Sequence, residues 1–317
     1  MEEIFNIGIV GAGVVAERMI NASGEHGRAN VRGIYDINKE KLAKVSDKYN
    51  LGSYNSFEEL LADDGLDIIY LAVPPKHHYP LALEIFKTGK HFLCEKPLAN
   101  STKEASEMAQ LANEKGVVYG MNFPTIYRNG YKKIVELLEN DFVGEVSRIE
   151  FQGYFRVWPR VWQQNPWVGS REQGGFTREV VTHYIQLMQS LFGELESVTS
   201  FITYPEDKNL SEDSLIAKSN IGEIEVLINC ISDIGMKEDL SFNIIGDKGV
   251  ISLKNWNEVW ISKGDEEPRE LKLDEADRSV GLLDNFFKRI DGEEAEIVDF
   301  NEGYKVHKVV EELLGNE

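Results

Sequence analysis

The chain has 317 residues and a formal net charge of −20, with 42% apolar and 28% charged residues. This length suits two domains that each bury a core, and the composition is that of a globular protein. So acidic a chain repels phosphate backbones, which excludes nucleic acid as an expected partner. No apolar run approaches the roughly 18 residues of a membrane helix. The acidic start Met1-Glu2-Glu3 differs from a basic secretory signal, so we expect a cytoplasmic protein that does not bind membranes.

The two cysteines, Cys94 and Cys230, both lie in apolar, strand-like runs. We interpret them as small buried residues, with neither a disulfide nor a metal site between them. Three histidines lie close in sequence, but no cluster of Cys, Asp or Glu has the spacing of metal ligands. We therefore predict no metal site.

The first half of the chain alternates predicted strands with predicted helices. Apolar runs predict strands over residues 4–10, 31–36, 67–73, 91–94 and 117–120. The patterns Ser56-x-x-Glu59 and Ser101-x-x-Glu104 are capping boxes that predict helix starts. This alternation predicts a parallel, doubly wound sheet over residues 1–122.

Near residue 122 the periodicity changes. Residues 123–317 contain a run of strand-like segments and one long predicted helix over residues 176–192. The turn Gly246-Asp247-Lys248-Gly249 joins two of the strands. This half is predicted to be an α+β domain with a large, mostly antiparallel sheet.

A glycine-rich turn follows the first strand. Gly11, Gly13 and Ala16 form G-x-G-x-x-A between a strand and a helix. In a dinucleotide site, such residues allow a tight turn, close approach of a pyrophosphate and close helix packing. Plain packing is the alternative explanation. The predicted cofactor-binding residues of this turn are Gly11, Gly13, Val14, Val15 and Ala16.

The second strand ends at Asp36, twenty positions after Ala16. A carboxylate there can accept hydrogen bonds from both hydroxyls of an adenine ribose, and it would repel a 2′-phosphate. We therefore predict NAD as the cofactor. The nearby Lys39 and Lys41 keep NADP as the alternative.

Two further strands end in stiff turns at the same predicted sheet edge, where open α/β sheets bind ligands. One turn is Val73-Pro74-Pro75, against which a nicotinamide ribose could lie. The other is Cys94-Glu95-Lys96-Pro97-Leu98. A lone lysine here would be a solvated loop residue, but its surroundings make Lys96 the predicted catalytic centre.

These landmarks occur in the order seen in the glucose–fructose oxidoreductase, inositol dehydrogenase and rhizopine-catabolism family (Gfo/Idh/MocA), which the chain resembles. The match continues through Gly174-Gly175 and the helix with His183 to the Gly246–Gly249 turn, and weakens in the last third. The motifs that carry the resemblance are Gly11-Ala12-Gly13-Val14-Val15-Ala16, Asp36, Val73-Pro74-Pro75-Lys76-His77-His78, Gly89-Lys90-His91, Glu95-Lys96-Pro97 and Gly144-Glu145-Val146.

The resemblance implies an N-terminal Rossmann domain, and a C-terminal α/β domain whose open sheet often forms the oligomer interface. We accordingly expect a homodimer or homotetramer. It also implies NAD(P)-dependent oxidation or reduction of a sugar, polyol or sugar derivative, with Lys96 as the catalytic lysine. His78 matches a family position near the nicotinamide, and Glu95 belongs to the same predicted cofactor site.

Family members usually carry an Asp and a His four residues apart after the Gly-Gly loop, where this chain has Glu179 and His183. Two further departures from the family pattern are Arg178 with Thr182, and the segment 125–130. On an α-helix, positions i and i+4 share a face, so Glu179 could orient His183. We predict Lys96 and His183 as the acid/base pair, without assigning an order. A structural histidine and a solvated glutamate are the alternatives.

The loop 157–175, called here the Trp/Arg loop, interleaves tryptophans and arginines. Aromatic rings stack on sugars, and arginines bind carboxylates or phosphates. Packing at a domain or subunit interface explains the tryptophans equally well. The predicted substrate residues are Lys96, Trp162, Trp167, Arg171, Glu179 and His183.

The predicted function is hydride transfer between a nicotinamide and a hydroxyl or carbonyl carbon of a sugar or polyol. One alternative is an NAD-dependent, glycosidase-like enzyme on the same fold. Another is a ligand sensor that binds NAD without turnover.

Overall fold

In the computed structural model, the described residues are 3–115, 117–163, 165–273 and 280–316. Met1 and Glu2, used above for the compartment prediction, and Gln164 of the Trp/Arg loop lie outside them. Among the described residues, no helix is long and apolar enough to cross a membrane. The same residues contain no group of three or more His, Cys, Asp or Glu that could hold a metal ion.

The chain forms two compact units. The first comprises Met1–Pro124 and Arg278–Tyr304, and the second Thr125–Asp277 and Lys305–Glu317. The division therefore falls two residues after the predicted boundary at 122, and a later segment returns to the first unit. Ring contacts explain why this segment belongs to the first unit, because the ring centroid of Phe287 lies 4.7 Å from that of Phe5 in the first strand.

The first unit is built on a six-stranded, fully parallel sheet in the order β3-β2-β1-β4-β5-β6. This is the strand order of a dinucleotide-binding Rossmann fold, and it confirms the predicted doubly wound sheet. All four residues of β4 are buried, as expected for a strand covered on both faces. The strands are β1 Phe5–Val10, β2 Ala29–Tyr35, β3 Gly52–Ser53, β4 Ile68–Leu71, β5 His91–Cys94 and β6 Tyr119–Met121.

Helices connect these strands, and side chains cap two of them as predicted. Ser56 and Ser101 accept hydrogen bonds from the backbone N–H groups of Glu59 and Glu104, at 3.1 and 3.3 Å. The helices that precede β6 are α1 Val14–Glu25, α2 Lys39–Tyr49, α3 Phe57–Leu61, α4 His78–Phe86 and α5 Thr102–Lys115.

The second unit is built on an eight-stranded sheet in the order β14-β13-β12-β11-β7-β10-β9-β8. Among the described strands of this sheet, only β7 and β10 pair in parallel, so the predicted large and mostly antiparallel sheet is confirmed. The strands are β7 Val146–Tyr154, β8 Glu196–Thr203, β9 Ser214–Ile221, β10 Ile224–Ile231, β11 Asp239–Gly246, β12 Val250–Lys254, β13 Glu258–Ser262 and β14 Arg269–Glu270. The remaining helices are α6 Asn129–Glu139, α7 Thr182–Phe192, α8 Gly281–Ile290 and α9 Phe300–Leu313.

One face of the second sheet is covered by α7. Tyr184 of α7 stacks on Phe151 of β7, with 3.9 Å between ring centroids. The prediction of a single α-helix over 176–192 is wrong in one respect, because residues Thr177–Val181 form a π-helical turn before α7 begins. The extra residue in that turn changes the i, i+4 register assumed for Glu179 and His183.

Candidate active site

The glycine-rich turn is shaped by its two neighbouring strands. Gly11 has φ +108°, and its N–H donates to the carbonyl of Tyr35 at 2.7 Å. A Cβ at Gly11 would lie 2.2 Å from the carbonyl oxygen of Ala72, so only glycine fits there. Ala16 is fully buried, as close packing of α1 on the sheet requires.

Gly13, in contrast, faces open space. Within the described part of the chain, a Cβ at Gly13 would meet no atom within 4 Å. Gly13 is also the N-cap of α1, and no described side chain caps this helix. The N–H groups of the first helical turn, which begins with Val14 and Val15, therefore remain available to an anionic group at the positive end of the helix. These residues fit the pyrophosphate of a dinucleotide.

The Asp36 carboxylate joins the end of β2 to the glycine-rich turn. Its two oxygens accept hydrogen bonds from the backbone N–H groups of Ala12 and Asn38, each at 2.7 Å. A carboxylate has about four acceptor positions, so two remain for ribose hydroxyls. The Lys39 ammonium, considered above for NADP, donates to the carbonyl of Asn55 at 2.8 Å.

His78 connects the two predicted cofactor turns. It is fully buried, and its Nδ1 and Nε2 lie 2.8 Å from the carbonyl oxygens of Pro97 and Val73. Burial lowers the pKa of His78, although both carbonyls favour the protonated ring. This geometry makes His78 a brace between the turns, with both ring nitrogens engaged.

A second buried network lies next to Lys96. The Glu95 carboxylate accepts hydrogen bonds from the hydroxyl of Tyr70 and from Nδ2 of Asn122, the latter at 2.6 Å. Burial raises the pKa of Glu95. Because these residues lie on β4, after β5 and after β6, the network ties three neighbouring strand ends together.

Lys96 itself is half-buried and comes two residues after the last residue of β5. The N–H of Glu95 makes the last ladder bond to β4, at 3.0 Å from the carbonyl oxygen of Leu71, and the Lys96–Pro97 peptide is cis. Since β1, β4 and β5 are adjacent and parallel, the glycine-rich turn, the Val73-Pro74-Pro75 turn and Lys96 share one sheet edge. The first unit thus brings together its predicted cofactor residues.

The second unit holds Glu179 and His183. Glu179 lies in the π-helical turn and accepts a hydrogen bond from Nε2 of Gln163 at 3.4 Å. His183 is nearly buried in α7, and its ring lies edge-on to Trp256 with 5.5 Å between centroids. Sequence reasoning missed Trp256, whose only signal is its place between two asparagines in the β12–β13 hairpin.

The unusual charge of Arg178 has a structural explanation. Its guanidinium forms a bidentate pair with Glu311 of α9, with both N–O distances at 2.8 Å and both side chains buried. The same guanidinium donates to the carbonyl of Arg171 at 3.0 Å. Arg178 therefore fixes the start of the π-helical turn and is committed to the protein interior.

The members of the Trp/Arg loop have different environments. Trp158 packs edge-on against the stacked rings of Phe155 and Phe176, and Arg160 forms a bidentate pair with Glu238 at 2.8 and 2.9 Å. The predicted substrate residue Arg171 lies 3.6 Å over the ring of Tyr204. Trp162 is 57% exposed, whereas Trp167 is half-buried. A cavity of about 500 Å³ is lined by residues of this loop together with Asn209 and Leu210.

The fold and the first sheet edge define a class of protein. A six-stranded parallel sheet, a glycine-rich turn at a helix N-terminus open to an anion, and a carboxylate at the end of β2 are the parts of a dinucleotide-binding Rossmann domain.

Comparison with known proteins identifies the family. The description "Oxidoreductase family, NAD-binding Rossmann fold" matches residues 5–123, and "Oxidoreductase family, C-terminal alpha/beta domain" matches residues 135–314. The chain belongs to this Gfo/Idh/MocA family and is an NAD(P)-dependent oxidoreductase. The resemblance inferred from the sequence and the prediction of NAD are thereby confirmed.

Individual relatives are distant. Glucose-6-phosphate 3-dehydrogenase of Bacillus subtilis is 25% identical over 96% of this chain and 94% of its own length. An uncharacterized oxidoreductase of Schizosaccharomyces pombe is 30% identical, but the match spans only 48% of this chain and 40% of that protein. Levoglucosan dehydrogenase, solved with NADH and levoglucosan, has a TM-score of 0.87 at 16% identity and covers 99% of this chain and 97% of its own. This last likeness supports the fold.

Proposed function

We propose that the protein is an NAD-dependent dehydrogenase that transfers a hydride between the nicotinamide and a CH–OH or carbonyl carbon of a sugar, polyol or sugar derivative. The observation that carries the proposal is the shared sheet edge in the first unit. There Lys96 follows β5, while the glycine-rich turn follows β1, two strands away. The dehydrogenase names of several relatives support the substrate class.

Lys96 is the proposed group that exchanges the substrate hydroxyl proton. When bound, NAD supplies the hydride acceptor and a positive charge in its oxidised ring. A lysine amine beside the reacting carbon can accept the hydroxyl proton during oxidation, and its ammonium form can return the proton during reduction. The Glu95 network and the His78 brace hold the backbone on both sides of Lys96, so that its side chain starts from a fixed point.

His183 and Glu179 are proposed for the substrate side, in line with the resemblance. A histidine titrates near neutral pH and can give or take a proton during the reaction. The acid/base pairing of Lys96 with His183 is a prediction from the sequence. Lys96→Ala tests the member of this pair in the first unit, and His183→Ala tests the member in the second unit.

NAD is favoured over NADP by the position of Asp36. Its carboxylate is fixed by two backbone N–H groups, and its negative charge would repel a 2′-phosphate. The Lys39 ammonium donates to the carbonyl of Asn55, so that this side chain is directed toward the loop before α3.

We also propose that the open face of the second sheet associates with a second copy of the chain, giving a homodimer or homotetramer. Phe201 and Ile216 are direct cross-strand neighbours on β8 and β9, and they are 72% and 55% exposed. A shallow cavity of about 540 Å³ beside Ile216 and Ile231 continues this apolar surface. Exposed apolar patches of this kind are typical of protein interfaces.

The cytoplasm is the proposed compartment, as the sequence analysis expects.

A cofactor-reduction screen tests the proposed function. The protein is incubated with NAD, and separately with NADP, across inositols, aldoses, sugar acids and sugar phosphates, and the absorbance of reduced nicotinamide is followed. A rise with NAD and one substrate class supports the proposal. No reduction with any substrate, with NAD still bound in a thermal-shift control, contradicts it and favours the glycosidase-like enzyme or the sensor.

The Lys96→Ala variant tests the mechanism. General acid–base catalysis contributes about 10²–10⁴-fold, so kcat should fall by about that factor while NAD affinity stays close to wild type. Lys103→Ala, which removes an exposed lysine of α5, is the matched control. Unchanged turnover in Lys96→Ala would contradict the role given to Lys96.

A further inference from the structure

The hairpin between β12 and β13 contains an unusual residue at its tip. The N–H of Asn257 donates to the carbonyl of Lys254 at 3.2 Å, and the two residues between them, Asn255 and Trp256, have φ values of +47° and +77°. Positive φ at both central positions is the pattern of a type I′ turn, for which Asn-Gly is the preferred pair. This chain has tryptophan in the place where glycine would be free of strain.

A bulky residue in the left-handed region is a genuine outlier, and it persists only where surrounding contacts stabilise it. The Trp256 ring has such contacts. It lies 5.2 Å from the ring of Tyr184, and it is edge-on to His183 at 5.5 Å with an interplanar angle of 84°. Tyr184 is itself stacked on Phe151, so Trp256 extends an aromatic column that starts in the core of the second unit.

The hairpin also contacts Arg128 and helix α6. The Arg128 guanidinium donates to Oδ1 of Asn257 at 3.1 Å and lies 6.0 Å over the Trp256 ring. Helix α6 packs closely against the same hairpin, because a Cβ at Gly130 would lie 3.4 Å from the carbonyl oxygen of Asn257. The position of the Trp256 ring is therefore fixed by contacts on several sides.

We infer that Trp256 is a positioning residue that sets the orientation of the His183 imidazole. The inference rests on the proposed function, in which His183 exchanges a proton with the substrate. An imidazole can do so only if one particular ring nitrogen points toward the substrate. An aromatic ring placed edge-on restricts rotation of the imidazole and covers one side of it. The strained turn is retained because glycine could not supply this ring.

The structural part of the inference is tested without any substrate. Diethyl pyrocarbonate acylates accessible histidines, and peptide mass spectrometry reports each site, with the exposed His77 as internal standard. In Trp256→Gly, the turn is relaxed but the ring is absent, so the modification rate of His183 should rise several-fold. Asn255→Gly relaxes the same turn and keeps the Trp256 ring, so His183 should be modified at the wild-type rate in this variant.

The functional part uses a substrate from the screen. Trp256→Gly should lower kcat and shift the limb of the pH profile that disappears in His183→Ala, with KM changing less than kcat. Trp256→Phe, which restores an aromatic ring, should recover most of kcat and the wild-type pH profile. If Trp256 were merely structural, Trp256→Gly would leave the pH profile unchanged, and Trp256→Phe would not specifically recover kcat.

Two results would overturn the inference. One is a folded Trp256→Gly protein whose His183 is modified at the wild-type rate. The other is a rise in KM with kcat and the pH profile unchanged, which would make Trp256 a substrate contact. If Trp256→Gly does not fold, Trp256→Asn replaces it, because asparagine tolerates positive φ. The wild-type protein could be inactive with every substrate of the screen while His183 is still modified faster in Trp256→Gly. That result would contradict the proposed function but would support the contact between Trp256 and His183.

Discussion

Asp36 has its carboxylate orientation fixed by the protein before any cofactor binds. The N–H groups of Ala12 and Asn38 each take one lone pair of the carboxylate, at 2.7 Å. The hydroxyls of a bound ribose could donate to the remaining lone pairs. A 2′-phosphate would be repelled by the negative charge. In the proposed site, selectivity for NAD would therefore depend on one negative charge held in a fixed position.

We expect Asp36→Asn to shift the ratio of kcat/KM for NAD and NADP toward NADP by roughly tenfold or more, because tenfold corresponds to only about 1.4 kcal/mol of lost repulsion. The amide keeps the shape of the side chain and one acceptor oxygen. Asp47→Asn, on the exposed side of α2, is the control and should leave the ratio unchanged. Equal ratios in Asp36→Asn and wild type would show that Asp36 does not select the cofactor.

His78 is a second residue whose role is defined by its contacts. We expect His78→Leu to lower the free energy of unfolding by about 1–3 kcal/mol, since a neutral imidazole donates its one N–H to the carbonyl of either Val73 or Pro97, and leucine donates to neither. Urea denaturation measures the loss. The adjacent and exposed His77→Leu should cost little. Similar losses in the two variants would argue against the brace.

At the scale of elements, the two glycines of the glycine-rich turn before helix α1 differ in their proposed roles. Gly11 is needed for the fold, and Gly13 is proposed to be needed for cofactor binding. Gly11 is required by its positive φ and by the carbonyl oxygen of Ala72, which would lie 2.2 Å from any Cβ at this position. Gly13, by contrast, has open space around it. Two glycines of the same motif thus serve different purposes, although the motif alone treats them alike.

Gly11→Ala should destabilise the protein strongly, because the methyl group cannot be accommodated without moving the backbone that follows β4. Gly13→Ala should leave thermal stability close to wild type but weaken NAD binding by roughly tenfold, since the methyl group occupies the approach to the helix N-terminus. Thermal unfolding and NAD titration of both variants check this. Wild-type NAD affinity in Gly13→Ala would contradict the assigned pyrophosphate position.

The π-helical turn before α7 shows where local pattern falls short. The buried positions Phe176, Val180 and Tyr184 do have helical spacing, so the helix was predictable. The extra residue per turn was not, because it depends on partners far along the chain. Glu212 accepts from the N–H of Thr177 at 2.7 Å, and Glu311 holds Arg178.

At the scale of the whole molecule, we expect association through the open face of the second sheet. Removing Phe201 and Ile216 from water would contribute about 1.5–3 kcal/mol each. The double variant Phe201→Glu/Ile216→Lys should therefore shift the protein to monomers, as measured by sedimentation or light scattering. Lys132→Glu, on an exposed position of α6, is the control. An unchanged mass in the double variant would place the interface elsewhere.

The sequence by itself determined the strand and helix alternation, the glycine-rich turn, Asp36 and the turn with Lys96. Each of these is encoded within a few neighbouring residues, through periodicity, capping or the special conformations of glycine and proline. The predicted capping bonds of Ser56 and Ser101 formed for the same reason.

Only the tertiary structure decided that Arg278–Tyr304 belongs to the first unit, that His78 joins two turns, that Arg178 is held by Glu311 and that Trp256 lies against His183. His78 and Pro97 are 19 residues apart in the sequence, and Arg178 and Glu311 are 133 residues apart. Such contacts depend on how strands and helices pack, and a local pattern of residues contains no record of that packing.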